Sequence, residues 1–181
     1  MSDLKTLLTP LIEGFSGWEN VRGMQELSAG ELPQPYRALL AHKRDMTGTL
    51  SQFFGQSLHL KVLEKALKQG VLARRVLLIR DGDGLPVEYG AIRIHLDHYP
   101  EQAREPILEG RQPLGGILNA MDIPYRSKPR RFIKIQQSDI LKQVFHPAKA
   151  DFLYGRCNIL ATPGGETLAE IVEVLPPLDP K

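Results

Sequence analysis

Residues 73–96 read ARRVLLIRDGDGLPVEYGAIRIHL, and this stretch decides the fold. Two largely apolar runs, at 73–80 and 85–96, flank the tetrapeptide DGDG at 81–84. An Asp-Gly turn between runs rich in Val, Ile and Leu is a strong hairpin signal. The stretch therefore predicts two antiparallel strands joined by a tight turn.

Further strands are predicted on both sides of this hairpin. Apolar and polar residues alternate at 58–62 and at 131–135, and the segments 152–161 and 167–175 flank a Pro-Gly-Gly turn. Short helices are predicted at 3–13, 35–40, 49–54, 100–109 and 113–118, with an irregular lead-in at 14–33. Four to six mostly antiparallel strands with separate helices indicate an α+β fold.

Length, charge and cysteine content bound the class of protein. The 181 residues predict one domain, and a net charge of +2 with mixed signs gives no bulk attraction to nucleic acid. The longest apolar runs have four residues, whereas a membrane helix needs about 20. A lone cysteine, Cys157, and a first segment without a secretory pattern suit a reducing compartment. We therefore expect a cytoplasmic protein without a membrane span.

Two patterns that suggest metal ligands are interpreted as ordinary structure. A calcium loop beginning at Asp81 would need a glutamate at its twelfth position, which is Ile92. His95, Asp97 and His98 are closely spaced, but His95 and His98 have opposite strand parity and no cysteine or histidine cluster lies nearby. We therefore expect no metal site.

The first candidate ligand-binding residue is Arg75, at the entrance to an apolar strand. It shares strand parity with Leu77 and Ile79, which predicts that its guanidinium points toward an interior. A buried arginine needs an anion, because an unpaired buried charge costs several kcal/mol. A structural salt bridge would satisfy that need as well as a ligand would.

The second candidate is the helix start in the segment Gln112-Pro113-Leu114-Gly115-Gly116. A proline at the start of a helix leaves free backbone amides, which together with the helix dipole can bind an oxygen anion. A helix start capped by water is the alternative.

The third candidate is Glu173, which lies between β-branched residues in the segment at 171–176. A carboxyl group that faces a cavity has a raised pKa and is suited to proton chemistry. Glu170 has the opposite parity, and apolar residues on both sides of this strand leave open which of the two glutamates points inward.

The order of six short motifs carries more information than any one of them. They are Met46-Thr47, Arg75-Val76-Leu77-Leu78, Gln112-Pro113-Leu114-Gly115, Arg131-Phe132-Ile133-Lys134-Ile135, Gly155-Arg156 and Glu173-Val174-Leu175-Pro176. In this order they resemble the chorismate pyruvate-lyase family, including the wider chorismate lyase-like group. The resemblance implies one domain over 1–181, with a lead-in at 1–31 and a family-like core at 32–176.

The resemblance also implies an antiparallel sheet with helices packed around an enclosed ligand cavity. Members of the family eliminate pyruvate from chorismate to leave 4-hydroxybenzoate, without metal or organic cofactor. The expected function is therefore a cofactor-independent lyase for quinone biosynthesis, acting as a monomer or homodimer. Carried over by motif, Arg75 and the amide of Met46 would hold the ring carboxylate, and the amide of Leu114 and Glu173 would bind the oxygen-bearing end. Arg75 and Glu173 would be catalytic.

The chain departs from the family pattern at two positions. Gly116 stands where family members often have an arginine after Pro-Leu-Gly, and Asn158 stands where the wider group is frequently aromatic. The first departure removes a cation for the second carboxylate of the substrate, unless Arg111, Arg126 or Arg156 replaces it.

Two other functions therefore remain open beside the lyase. One is a sensor of the same fold that binds a small carboxylate without turnover, and the other is a lyase that acts on a related enolpyruvyl acid. Residues 1–31 are too short and too rich in glycine for a winged helix, which favours the enzyme over a regulator. The sequence also leaves open whether Glu173 donates a proton or anchors the ring hydroxyl.

Overall fold

The fold is built on one antiparallel sheet whose two faces are both covered. The structure is a computed structural model, and it describes residues 6, 8–12, 23–136, 139–145 and 150–178. Within these residues the strands are β1 (Gln25–Leu27), β2 (Leu58–Lys68), β3 (Val71–Arg80), β4 (Pro86–His95), β5 (Arg126–Gln136), β6 (Phe152–Ala161) and β7 (Thr167–Leu175).

The seven strands lie in the order β1-β5-β6-β7-β4-β3-β2, and each neighbouring pair is antiparallel. The hairpin predicted at 73–96 is β3 and β4, and the bounds predicted for the last two strands, 152–161 and 167–175, are confirmed. The predicted α+β class with a mostly antiparallel sheet is also confirmed.

The helices of the described segments are short. They are α1 (Thr9–Ile12), α2 (Tyr36–Leu40), α3 (Met46–Phe54), α4 (Glu101–Glu109), α5 (Leu114–Ala120) and α6 (Asp139–Val144), with 3-10 turns at Ala29–Glu31 and Leu96–His98. The helices predicted at 35–40, 100–109 and 113–118 are confirmed within a few residues. The helix predicted at 3–13 falls partly outside the described residues.

Several elements are longer in the structure than the sequence predicted. Strand β2 continues six residues beyond the predicted end at 62, and β5 begins five residues before the predicted start at 131. Helix α3 begins at Met46 rather than at Thr49. The predicted irregular lead-in contains β1, which exists by pairing with β5 from Gln25 to Leu27.

Side chains of β3 alternate between the two faces of the sheet, and both faces are buried. We call the face that carries Leu77 the far face and the opposite face, which carries Leu72 and Leu78, the near face. On the far face, Leu77 belongs to a cluster with Cys157 of β6, Leu8 before α1 and Leu141 of α6. On the near face, Leu72 and Leu78 pack in clusters that include α4, α5, α2 and α3. Each of the central strands is therefore apolar on both sides, so alternation alone cannot identify the face that carries a site.

Candidate functional site

A cavity of about 80 Å³ lies on the near face of the sheet, under the starts of α3 and α5. Its floor consists of strands β2 to β7, and its roof consists of residues 44–47 and 113–115. The apolar part of the lining is Met46, Leu60, Val76, Leu78, Ile92, Pro113, Leu114, Leu160 and Ile171. A mostly apolar recess with a few converging polar groups is the usual form of a small-molecule site.

The start of α3 is positioned by Asp45. The Asp45 carboxylate accepts a hydrogen bond from the backbone N of Gly48 at 2.6 Å, which caps the helix. A Cβ added at Gly115, the second residue of α5, would lie 2.8 Å from Asp45 Oδ1. The absence of a side chain at Gly115 therefore lets the two helix starts meet over the cavity.

Two of the predicted binding residues lie in this roof. Met46 is the first residue of α3, Leu114 is the first residue of α5, and both line the cavity. Their role as amide donors remains a prediction.

Glu173 lines the cavity, where it forms an ion pair with Arg156. The two residues are directly opposite each other on β7 and β6. Arg156 Nε donates to Glu173 Oε2, and Arg156 Nη2 lies 3.4 Å from Glu173 Oε1. Arg156 Nη1 donates to the carbonyl oxygens of Leu40 and His42, each at 3.1 Å. The charge of Arg156 is therefore balanced within the protein.

The arginine of β3 that lines the cavity is Arg74, not the predicted Arg75. Arg74 is 2% exposed, and its Nη1 donates to the carbonyl oxygen of Ile107, in the last turn of α4, at 3.4 Å. Its Nε has no hydrogen-bond partner among the described residues, and no carboxylate there forms an ion pair with it. Burial lowers the pKa of Arg74 to about 10, so the guanidinium remains charged at neutral pH.

Arg75 points to the far face of the sheet. It is buried and forms an ion pair with Glu64 of β2, with Nη1 to Oε2 at 3.1 Å. The parity argument correctly placed Arg75 with Leu77 and Ile79, but that side of the sheet carries a packed core. The predicted ligand contact of Arg75 is therefore corrected: Arg75 does not line the cavity, and a structural ion pair partners its guanidinium.

The sequence reasoning missed Glu88, a third carboxyl group of the cavity. Glu88 lies on β4 and is 5% exposed, and its Oε2 has no hydrogen-bond partner in the described part of the chain. Burial, and next the neighbouring Glu173, raise the pKa of Glu88 well above its ordinary value, while Arg156 opposes that rise. The signal that singled out Glu173, a glutamate with apolar residues on both sides, is also present at Glu88 between Val87 and Tyr89.

The two departures from the family pattern occupy different places. Asn158 lines the cavity, and its Nδ2 donates to Ser127 Oγ at 3.0 Å. Gly116 lies outside the lining, with open space where a side chain would project. Of the arginines suggested as replacement cations, Arg156 lines the cavity, whereas Arg111 and Arg126 do not.

No group of three or more His, Cys, Asp or Glu side chains in the described segments is placed to hold a metal ion. His95 Nε2 instead lies 3.0 Å from Glu170 Oε2, and His98 Nδ1 lies 2.6 Å from the carbonyl oxygen of Thr167. Among the same segments, no helix has the length and apolar character needed to cross a bilayer.

Comparison with known proteins identifies the fold through solved structures. No family model and no curated protein matches the chain. PhnF from Mycobacterium smegmatis aligns with a TM-score of 0.57 and 9% identity, covering 74% of this chain and 64% of PhnF. The effector domain of PhnF, solved separately, aligns with a TM-score of 0.54 and 8% identity, covering 73% of this chain and 88% of that domain.

This chain therefore spans less than two thirds of the length of full PhnF. At such low identity the likeness concerns the fold alone. The alignments show a shared fold over about three quarters of this chain. The seven-stranded antiparallel sheet with few helices is consistent with the chorismate lyase-like fold that the motif order implied.

Proposed function

We propose that this chain is a small-molecule-binding domain whose cavity takes a compact carboxylate, with Arg74 as the residue that binds the anion. The observation that carries the proposal is the charge of Arg74, which no carboxylate of the described residues balances. A guanidinium that is 2% exposed, with its Nε unpartnered among the described residues, lines an apolar cavity. A bound anion would balance that charge, since isolated buried charges cost several kcal/mol.

The other charges of the cavity support an anionic ligand. Arg156 and Glu173 neutralise each other, and the raised pKa of Glu88 favours its uncharged form. Asp45 is engaged in capping α3, and Arg44 adds a further cation to the lining. Among the described residues, no buried carboxylate is therefore left to compete with an anionic ligand for Arg74.

The apolar lining supports a ligand with an apolar body. Val76, Ile92 and Ile171 lie on three adjacent strands of the floor, and Leu114 faces them from the roof. A planar ring or short branched chain would bury its surface there while its carboxylate reaches Arg74. The likeness to an effector domain, as the PhnF structure is described, supports a sensor in preference to an enzyme.

Benzoate and benzamide form a matched pair of probes, because they share a ring and differ in charge. We expect calorimetric titration to detect binding of benzoate in preference to benzamide. Arg74→Gln is expected to weaken benzoate binding by about 2–5 kcal/mol, the usual cost of removing one partner of a buried charge pair. The charge of the ligand and the side chain of Arg74 are thus tested together.

Arg75→Gln is the matched control, since Arg75 is the adjacent residue and points to the opposite face. It is expected to leave benzoate affinity within about twofold, well under 1 kcal/mol. If Arg75→Gln fails to fold, Arg93→Gln serves in its place, because Arg93 is half-buried and forms an ion pair with Glu170 away from the cavity. Equal loss in Arg74→Gln and the control, or equal affinity for benzamide, would overturn the proposal.

Lyase activity on chorismate is the second candidate function. Three of the four residues assigned by the family resemblance, Met46, Leu114 and Glu173, line the same cavity. Arg74 would take the carboxylate-binding role expected of Arg75. If the chain is a lyase, purified protein incubated with chorismate without added metal releases 4-hydroxybenzoate and pyruvate.

In that case Glu173→Gln is expected to reduce turnover far more than Glu170→Gln, since Glu170 pairs with Arg93 and His95 outside the cavity. Tight carboxylate binding without product would favour the sensor, and a related enolpyruvyl acid as the substrate would appear as turnover of that acid alone.

A further inference from the structure

We infer that Glu88 is a specificity-determining residue that makes carboxylate binding proton-linked: the cavity takes an anion at Arg74 while Glu88 holds a proton. This inference deepens the proposed function and rests on it. Neither the motif order nor the likeness to known structures assigns a role to Glu88.

The first step of the argument is the position of the carboxyl group. Glu88 is 5% exposed, lines the cavity and has an Oε2 without a hydrogen-bond partner among the described residues. A Cβ added at Gly90 would lie 3.1 Å from Glu88 Oε1, so the carboxyl group lies over Gly90. Gly90 is opposite Glu173 in the sheet, which places two carboxyl groups side by side.

The second step concerns the charges that face Glu88 from each surrounding element. They are Arg74 on β3, Glu173 on β7, Arg156 on β6, Arg44 and Asp45 before α3, and Tyr125 before β5, with His42 next to Arg156. Arg156 is paired with Glu173, and no cation of the described residues forms an ion pair with Glu88. Burial and the carboxylates of Glu173 and Asp45 raise the pKa of Glu88 well above its ordinary value.

The third step is the consequence for a ligand. A protonated Glu88 has an O–H that can donate to an oxygen of the ligand, because no group in the described part of the chain bonds to its Oε2. An ionised Glu88 adds a negative charge to the cavity and opposes the carboxylate at Arg74. Anion binding therefore favours the protonated form of Glu88. At a pH above the pKa that Glu88 has in the ligand-free protein, binding of each anion is coupled to the uptake of a proton by Glu88.

Calorimetric titration with benzoate from mildly acidic to mildly alkaline pH tests this linkage. Benzoate remains fully ionised over this range, so its own charge does not change. For the wild type we expect constant affinity while Glu88 is protonated, and then a loss of up to about tenfold per pH unit, the slope for uptake of one proton. In the pH range where the benzoate affinity falls, titration in buffers of different ionisation enthalpy is expected to show that proton uptake.

Glu88→Gln is the matched variant, because glutamine keeps the size and a hydrogen-bond donor but has no charge to gain. Its benzoate affinity is expected to stay constant over the same pH range. His42, Tyr125 and the other titratable neighbours remain in this variant, so a pH dependence that they cause would persist in it. Identical pH profiles for the wild type and Glu88→Gln would overturn the inference.

A titration without ligand separates the two proposals. With glutamate labelled at the side-chain carboxyl carbon, the NMR resonance absent from Glu88→Gln belongs to Glu88. We expect its midpoint at clearly higher pH than those of the exposed glutamates, and a midpoint among theirs would overturn the inference. Benzoate binding that depends on Arg74 but not on Glu88 leaves the proposed function intact, whereas binding that is absent or independent of Arg74 overturns the proposed function.

Discussion

The ion pair between Arg156 and Glu173 lies at the centre of the sheet and connects it to the residues between α2 and α3. Both side chains are buried, and Arg156 completes its hydrogen bonding with carbonyl oxygens near the end of α2. Such a pair has little net effect on stability when intact, but removing one partner leaves an uncompensated buried charge. We therefore interpret the pair as structural: it holds α2 and the residues before α3 against the sheet.

Glu173→Gln is expected to lower the free energy of unfolding by about 3–5 kcal/mol, because it leaves the charge of Arg156 without a counter-charge. Glu170→Gln changes the same residue type on the same strand, where Glu170 is partly exposed and pairs with Arg93. Its expected loss is about 1 kcal/mol or less. Urea unfolding of the two variants provides the comparison, and equal losses would contradict the structural role of the Arg156 pair.

At the scale of elements, the roof of the cavity depends on where α3 begins. Asp45 has an extended backbone and accepts a hydrogen bond from the backbone N of Gly48, so the helix begins at Met46. At the other end, Gly55 adopts a left-handed conformation with φ of 66°, which closes the helix at Phe54. The helix thus has defined ends, and its first turn lies over the ligand cavity.

Asp45→Ala is expected to destabilise the protein by about 1 kcal/mol, the usual cost of losing a helix cap. Asp45→Asn keeps an oxygen that can accept from the Gly48 amide, so it is expected to lose only a few tenths of a kcal/mol. Thermal unfolding of both variants checks this difference. A loss in Asp45→Asn as large as that in Asp45→Ala would show that the charge of Asp45, rather than its hydrogen bond, stabilises the roof.

At the scale of the whole molecule, the sheet is enclosed by two cores. Cys157 of β6 lies in the far-face core with Ile133 of β5 and Val172 of β7. Burial raises the pKa of the Cys157 thiol to about 12, and the nearby Glu173 adds to the shift. Access to this thiol therefore requires the residues packed over the far face, among them Leu8 and Leu141, to move away from the sheet.

Cys157 is expected to be unreactive toward thiol reagents at neutral pH in the native protein, since the reactive species is the exposed thiolate. Labelling should follow global unfolding and rise steeply across the urea transition. Cys157→Ser is the control that removes the signal, because the chain has one cysteine. Rapid labelling under native conditions would contradict a continuously packed far face.

Local signals in the sequence predicted the elements whose ends carry turn residues. The DGDG turn at 81–84 and the Pro-Gly-Gly turn at 163–165 gave hairpins with nearly correct bounds. Strand β1 was missed because its three residues are a strand only through their pairing with β5. The second half of β2 was missed because it is mostly exposed at the sheet edge and lacks the alternation of a half-buried strand.

The sequence by itself determined the α+β class and the central hairpin. The resemblance of its motif order to a known family singled out Met46, Leu114 and Glu173, which all line the cavity. The tertiary structure alone decided that Arg74 rather than Arg75 enters the cavity and that Arg156 neutralises Glu173. It also decided that Glu88 Oε2 has no hydrogen-bond partner among the described residues. The physical reason is that layers of packed residues cover both faces of this sheet. Strand parity then says which residues share a side, but only the packing of the helices determines which side keeps a cavity.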